Sequence, residues 1–120
     1  MYDGLERRKY RRIGEPFILD FQIKVKGLAE GDPAGWSLVG SQDLSAGGVR
    51  FLSLRKPDIG TFMDIRISYA DFEEPLRCVG QVLRVENIEE GRVFSVATVF
   101  TEISDRDWGI LIKLSKDLAL

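Results

Sequence analysis

Alternation of apolar and polar residues is the dominant pattern along the chain. In residues 17–25 every odd position is apolar and most even positions are polar, and residues 61–69 show the same alternation from Met63 onward. Successive side chains of a β-strand point to opposite faces, so this period of two predicts two strands, each with one buried face. Weaker β-rich segments, separated by turn signals, are residues 36–42, 49–53, 76–86 and 92–101. Six short strands in succession predict an all-β fold, a closed six-stranded antiparallel β-barrel.

The period of the pattern changes after the last predicted strand. Ser104 is placed as a helix N-cap and Asp107 occupies the capping-box position, with acidic residues first and lysines later. Residues 104–118 are therefore predicted to form a C-terminal helix whose apolar face closes an open end of the barrel. Trp108 lies on that face. It can be a core residue or can stack on a ligand base, and the apolar stripe favours the core.

Length and composition predict one soluble domain. The 120 residues suffice for a single hydrophobic core, which we divide into a mobile basic arm (residues 1–14), the barrel (15–102) and the helix (104–118). No apolar run approaches the roughly 20 residues that cross a bilayer, and residues 1–15 lack the apolar segment of a signal peptide. Cys78 is the single cysteine, which predicts a buried thiol in a reducing compartment. We therefore expect a cytoplasmic protein.

The absence of histidine excludes much chemistry. Ser-His-Asp and Cys-His nucleophiles, histidine-containing zinc sites and histidine acid–base catalysis cannot be built from a chain with no histidine. The carboxylates are scattered and show no catalytic or metal-binding spacing. We expect neither an enzyme nor a metal site.

Basic residues are concentrated near the start of the chain. Five of them lie within residues 7–12, although the formal net charge is −2. Such local charge favours a small phosphate-bearing anion over a nucleic acid or a membrane. Arg8 and Arg12 are four residues apart, so they share one side of either a helix or a strand and present two guanidinium groups that can fork onto phosphate or guanine. The alternative is a merely solvated, disordered arm.

A second motif runs from Asp43 to Gly48, in the sequence Asp-Leu-Ser-Ala-Gly-Gly. Asp43 and Ser45 are two residues apart at a strand end, so both side chains should point to the same surface. A carboxylate there can accept hydrogen bonds from guanine N1–H and N2–H. Gly48 is expected to allow positive φ and close approach of a ligand to the backbone. A plain hairpin loop is the alternative.

Together the two motifs resemble those of the PilZ domain family. Arg8-Lys9-Tyr10-Arg11-Arg12 matches the family's RxxxR motif, and the motif from Asp43 to Gly48 matches its [D/N]xSxxG motif in the expected order. The later strands and the C-terminal helix also look like those of the family, so the resemblance covers nearly the full length. It implies a PilZ-like split barrel and a bacterial receptor for the second messenger cyclic di-GMP.

The resemblance also implies roles for individual residues. Arg8 and Arg12 are expected to clamp phosphates and guanine edges from the arm, while Asp43 and Ser45 read a guanine on the barrel face and Gly48 permits the approach. The dianionic ligand is thereby expected to order the arm against the barrel.

Two further arginines are candidates on the same grounds. Arg7 directly precedes the RxxxR motif, and relatives with an arginine there look disposed to bind two intercalated cyclic di-GMP molecules. Arg84 lies on a strand that borders the ligand in relatives, although it can equally be an exposed strand residue. No other cofactor is implied.

Other classes of function stay open at this point. A PilZ-like module can work by protein–protein contact without nucleotide control, but complete motifs favour the receptor. Binding of single-stranded nucleic acid is disfavoured because the barrel segment is acidic. A lone receptor domain carries no output module, so we expect an effector protein in motility, biofilm or polysaccharide control as the partner.

Overall fold

Six antiparallel strands close into one barrel, in the order β1-β2-β3-β6-β5-β4. The computed structural model describes residues 10–15, 17–28 and 32–119. The strands are β1 (Gln22–Lys26), β2 (Trp36–Ser45), β3 (Gly48–Ser53), β4 (Phe62–Ser68), β5 (Leu76–Glu89) and β6 (Val93–Ile103), and helix α1 spans Asp105–Leu118. This architecture confirms the predicted six-stranded antiparallel barrel with a C-terminal helix.

Apolar residues that recur with a period of two fill the barrel. In β1, Ile23 and Val25 are buried between exposed polar neighbours, and in β4 alternate residues from Met63 onward are buried likewise. Strand β6 differs because all six residues from Ser95 to Phe100 are buried. Its buried hydroxyl groups are paired, since the Ser95 hydroxyl donates to Gln42 Oε1 over 2.7 Å and the Thr98 hydroxyl donates to the Val49 carbonyl over 2.8 Å. Strand β6 is therefore buried on both faces while its two buried hydroxyl groups keep hydrogen-bond partners.

The first predicted strand is partly wrong. Phe17–Asp20 forms a short 3-10 helix, and β1 begins only at Gln22. Ile18 points into the core with 2% of its surface exposed, whereas Leu19, which the alternation placed inside, is 74% exposed. The apolar pattern of residues 17–20 fits either structure, and the 3-10 turn is selected because it buries Ile18 and leads the chain into β1.

Helix α1 begins where the capping pattern predicted. The Ser104 hydroxyl accepts a hydrogen bond from the Asp107 backbone N–H over 3.1 Å, which satisfies one of the free N–H groups at the helix start. Leu111 is fully buried in the core, and Trp108, which is partly buried, packs against the core cluster. Trp108 Nε1 donates to the Ala46 carbonyl over 3.1 Å, so the helix is fixed to the β2–β3 turn. No helix in the described part of the chain is long and apolar enough to cross a membrane.

The segment before the barrel is held between β2 and α1. Ile13 is buried, and its backbone N–H donates to the Leu44 carbonyl over 2.9 Å. The next residue, Gly14, donates to the Leu118 carbonyl over 3.0 Å. Arg12, which directly precedes this joint, is therefore brought to the end of β2.

Candidate functional site

A cleft of about 200 Å³ opens on the barrel surface beside the end of β2. Protein pockets that enclose a whole drug-sized ligand measure about 300–1,000 Å³, so the cleft has room for only part of a ligand of that size. We call it the arginine cleft, and its described lining consists of Arg12, Asp43, Ser45, Gly48, Val49, Arg50, Arg84, Ala97 and Thr98. All five of the predicted site residues that the structure describes are among them. The other two, Arg7 and Arg8, lie outside the described residues.

One row of residues runs across the cleft from strand to strand. Asp43 on β2 is opposite Arg50 on β3, Arg50 is opposite Ala97 on β6, and Ala97 is opposite Arg84 on β5. The register shifts between Ser41 and Asp43, and again just before Arg84. A bulge moves the following residue to a different face of the strand, so these two irregularities direct Asp43 and Arg84 to the cleft. Alanine between the two arginines leaves space above the sheet.

Arg12 of the basic arm reaches the cleft through an ion pair. Arg12 Nε lies 3.3 Å from Asp43 Oδ2, with the Arg12 side chain 68% exposed and the Asp43 side chain 20% exposed. Arg12 also forms an isolated β-bridge with Ser45. The second arginine of one sequence motif therefore contacts the first two key residues of the other.

A side chain of the second motif, that of Ser45, stabilises the turn between β2 and β3. The Ser45 hydroxyl accepts a hydrogen bond from the Gly47 backbone N–H over 3.2 Å. Asp43 and Ser45 both belong to β2 and not to the loop, which is short. The expectation that they share one surface is confirmed, because both line the arginine cleft.

Gly48 is required for a different reason from the one predicted. Its φ is not positive, since the positive-φ glycines are Gly27, Gly35, Gly60 and Gly91. A Cβ at Gly48 would lie 2.1 Å from the Thr98 carbonyl oxygen and 3.1 Å from Val99 Cα. The glycine therefore permits close approach of β6, and the expectation of positive φ is wrong.

Arg50 is the charged residue of the described cleft that the sequence motifs did not identify. It lies two positions after Gly48, on the face of β3 opposite to buried Val49 and Phe51, so strand periodicity could have found it. Arg84, which was predicted, forms an ion pair with Glu86 of 3.1 Å. Three guanidinium groups and one carboxylate thus line the described cleft, a charge balance that suits an anion carrying hydrogen-bond donors.

A larger cavity, of about 690 Å³, lies elsewhere on the barrel. It is bordered by Asp64, Arg66, Arg77 and Glu102, so its charges are mixed, and Arg66 stacks 4.1 Å from the Trp36 ring centroid. None of the described motif residues lines it. Volume alone therefore does not identify the site, and the chemistry favours the arginine cleft.

The fold and the cleft define a small antiparallel barrel with a guanidinium-lined cleft on its surface. The model of the PilZ domain family matches residues 6–117. The chain therefore belongs to the PilZ domain family, and this confirms the family resemblance seen in its motifs.

Solved structures share the fold at low sequence identity. The Bacillus subtilis inhibitor of motility (MotI/DgrA) aligns with a TM-score of 0.72 at 16% identity over 92% of this chain and 50% of that one. The K. pneumonia MrkH–c-di-GMP complex gives 0.69 at 16% identity over 93% and 52%. The PilZ domain of Escherichia coli YcgR with c-di-GMP gives 0.63 at 19% identity over 93% and 91%.

These likenesses establish the fold alone. The chain spans about half the length of MotI and MrkH, whereas it spans nearly all of the YcgR PilZ domain. No curated protein matches the sequence.

Proposed function

We propose that the chain is a receptor for cyclic di-GMP. The observation that carries this proposal is the convergence of Arg12, Asp43, Ser45, Gly48 and Arg84 on one cleft. The fold also resembles that of MrkH and the YcgR PilZ domain, both of which have been solved with c-di-GMP. The proposed role is binding without catalysis, in the cytoplasm.

In this proposal the acceptor side chains of the cleft recognise the guanine base, and the arginines recognise the phosphates. Asp43 and Ser45 read a guanine at the end of β2, since a carboxylate accepts from guanine N1–H and N2–H. Arg12 and Arg8 bind phosphate through charge-assisted hydrogen bonds, each worth roughly 1.5–3 kcal/mol. Arg84 closes the other side of the cleft. Since Arg12 already touches Asp43, the ligand joins the arm to the barrel at a place where they meet.

Two finer parts of the proposal concern stoichiometry and output. Arg7 contacts a second cyclic di-GMP that intercalates with the first, which gives two ligands per chain. The ordered arm then presents a new surface to an effector protein. This relay follows from linkage, because a ligand that binds one arrangement of the arm more tightly shifts the population towards it.

Isothermal calorimetry with cyclic di-GMP tests the proposal. The Arg8→Ala/Arg12→Ala double variant should lose the binding heat. A matched double variant, Arg92→Ala/Arg106→Ala, removes two exposed arginines from surface ion pairs outside the cleft and should bind normally. GTP should give no comparable heat. A stoichiometry of about two ligands per chain would support the proposed contact of Arg7 with a second ligand, and a stoichiometry of about one would refute that contact.

The opposite result has a clear meaning. Wild-type protein that shows neither heat nor thermal stabilisation with cyclic di-GMP would refute the receptor. The chain would then be a PilZ-like module that works by protein contact alone, and a pull-down would be the next measurement.

A further inference from the structure

Arg50 carries a buried donor that no described residue of the chain pairs. Among the buried side-chain nitrogen and oxygen atoms of the described residues, Arg50 Nε is the one without a hydrogen-bond partner. Buried donors are almost always paired, because leaving one unpaired costs the full desolvation penalty of the group. A donor kept in this state at the lining of a cleft is a candidate for pairing with a ligand atom.

The position of Arg50 specifies which part of a ligand it meets. Arg50 is directly opposite Asp43 in the β2–β3 ladder, and both residues line the arginine cleft. Opposite residues of an antiparallel pair have Cα atoms about 4.5–5.5 Å apart. A carboxylate acceptor and a guanidinium donor therefore stand side by side, at a spacing that one base can bridge.

Guanine carries the complementary pattern along one edge. Its N1–H and N2–H groups are donors, and O6, next to N1, is an acceptor with N7 beyond it. A guanine whose N1–H and N2–H meet Asp43 turns O6 towards Arg50. Adenine reverses the pattern, since it has an acceptor at N1 and an amino donor in place of O6. In the same position adenine would place its N1 acceptor against the Asp43 carboxylate and its amino donor against the Arg50 guanidinium.

We propose that Arg50 is a specificity-determining residue that, with Asp43, selects guanine over adenine in a cyclic dinucleotide. This inference rests on the proposed function and names the group that discriminates the base. The other two arginines of the cleft suit phosphate better, because Arg12 is largely exposed and Arg84 is engaged with Glu86. They should contribute equally to cyclic dinucleotides of either purine.

The test compares two ligands on matched variants. Arg50→Met removes the donor and keeps most of the side-chain volume. Arg66→Met makes the same change on a partly buried arginine of β4 that stacks on Trp36 outside the cleft. Affinities for cyclic di-GMP and cyclic di-AMP are measured by calorimetry for wild type and both variants, and thermal melting without ligand reports folding.

The expected result separates stability from selectivity. Arg50→Met should melt at or above the wild-type temperature, because an unpaired buried donor is gone. Its preference for cyclic di-GMP over cyclic di-AMP should fall about tenfold or more. Arg66→Met should keep the wild-type preference. Should Arg50→Met fail to fold, Arg50→Lys, which keeps a charge and a donor, should still fold and lose part of the preference.

Three results would overturn the inference in distinguishable ways. An unchanged preference in folded Arg50 variants would leave the receptor intact and remove Arg50 from base selection. Equal weakening of both dinucleotides would assign Arg50 to phosphate. Absence of cyclic di-GMP binding by the wild type would refute the proposed function, and the inference with it.

Discussion

Arg12 and Asp43 are joined by an ion pair of 3.3 Å between Nε and Oδ2. Each residue belongs to a different sequence motif, and the pair forms at the site where the proposed ligand would bind. The Arg12 side chain is 68% exposed, and pairs that solvent screens in this way are worth only about 0.2–1 kcal/mol, so a ligand can replace the contact at low cost. Until then Arg12 compensates the charge of Asp43 and holds its own part of the chain beside the cleft.

Replacement of Asp43 by alanine should uncouple binding from stability. Alanine removes both acceptor oxygens that guanine N1–H and N2–H require, so cyclic di-GMP affinity should fall at least about tenfold. Loss of the ion pair with Arg12, whose side chain is largely exposed, should change the free energy of unfolding by no more than about 1 kcal/mol. Calorimetry and urea denaturation measure the two quantities.

The control for this variant is Asp64→Ala. Asp64 is an exposed strand residue of β4 outside the cleft, and its replacement should leave cyclic di-GMP affinity unchanged. Full affinity in Asp43→Ala would show that the carboxylate does not read the base.

Gly48→Ala should destabilise the barrel itself. The new Cβ would collide with the Thr98 carbonyl oxygen, and neither strand can yield easily because the contact is with backbone. Overpacking of this kind costs typically about 1–3 kcal/mol, and more where the backbone must move. Gly109→Ala makes the same change on α1 with no atom within 4 Å. There alanine should stabilise by about 0.4–1 kcal/mol. Thermal melting measures whether each variant is less or more stable than the wild type. A Gly48→Ala variant as stable as the wild type would contradict the close contact between Gly48 and the Thr98 carbonyl.

Sequence patterns predicted the barrel because most of its strands bury one face, and a period of two records that burial directly. The predicted strand 61–69 is found at Phe62–Ser68. Two features escaped prediction for physical reasons. Residues 17–20 carry too few polar positions to separate a strand from a 3-10 turn. The bulges beside Asp43 and Arg84 depend on pairing between distant strands, which no local pattern contains.

The site was predictable to the extent that it lies in local motifs. Asp43, Ser45 and Gly48 are close in sequence, so spacing indicated a shared surface. Strand periodicity could have placed Arg50 on the face of β3 opposite to the core, but not its position opposite Asp43 or the burial of one of its nitrogens. Both properties arise only in the folded barrel.

Trp108→Phe should weaken the attachment of the helix to the barrel. Trp108 Nε1 donates to the Ala46 carbonyl over 3.1 Å, and the Tyr10 ring meets the indole edge-on with centroids 5.9 Å apart. Phenylalanine retains an apolar ring but leaves the carbonyl unpaired, which should cost about 1–3 kcal/mol. Urea denaturation measures the loss. Trp36→Phe, which affects a ring stacked by Arg66 on the barrel surface, should cost less, and an equal cost in the two variants would argue against the hydrogen bond.

Cys78 should be inert in the folded protein. Burial raises the pKa of its thiol, and the negative charge of Asp107 raises it further, so the reactive thiolate is scarce at neutral pH. Iodoacetamide at pH 8 should label unfolded protein readily and native protein hardly at all, as mass spectrometry can show. Rapid labelling of native protein would place the thiol at the surface.

The same shift in the Cys78 pKa predicts a loss of stability in alkali. In the unfolded chain the thiol ionises near its ordinary pKa of about 8.5, while the folded protein keeps it protonated. The contribution of Cys78 is therefore complete below that pH, and above it decreases by up to about 1.4 kcal/mol per pH unit. Cys78→Ala lacks this titration, and the contributions of the other titrating groups to the pH dependence cancel when the variant is compared with the wild type. The difference in unfolding free energy between the two proteins should change with that slope between pH 8.5 and pH 10, and a constant difference would show that the folded thiol ionises normally.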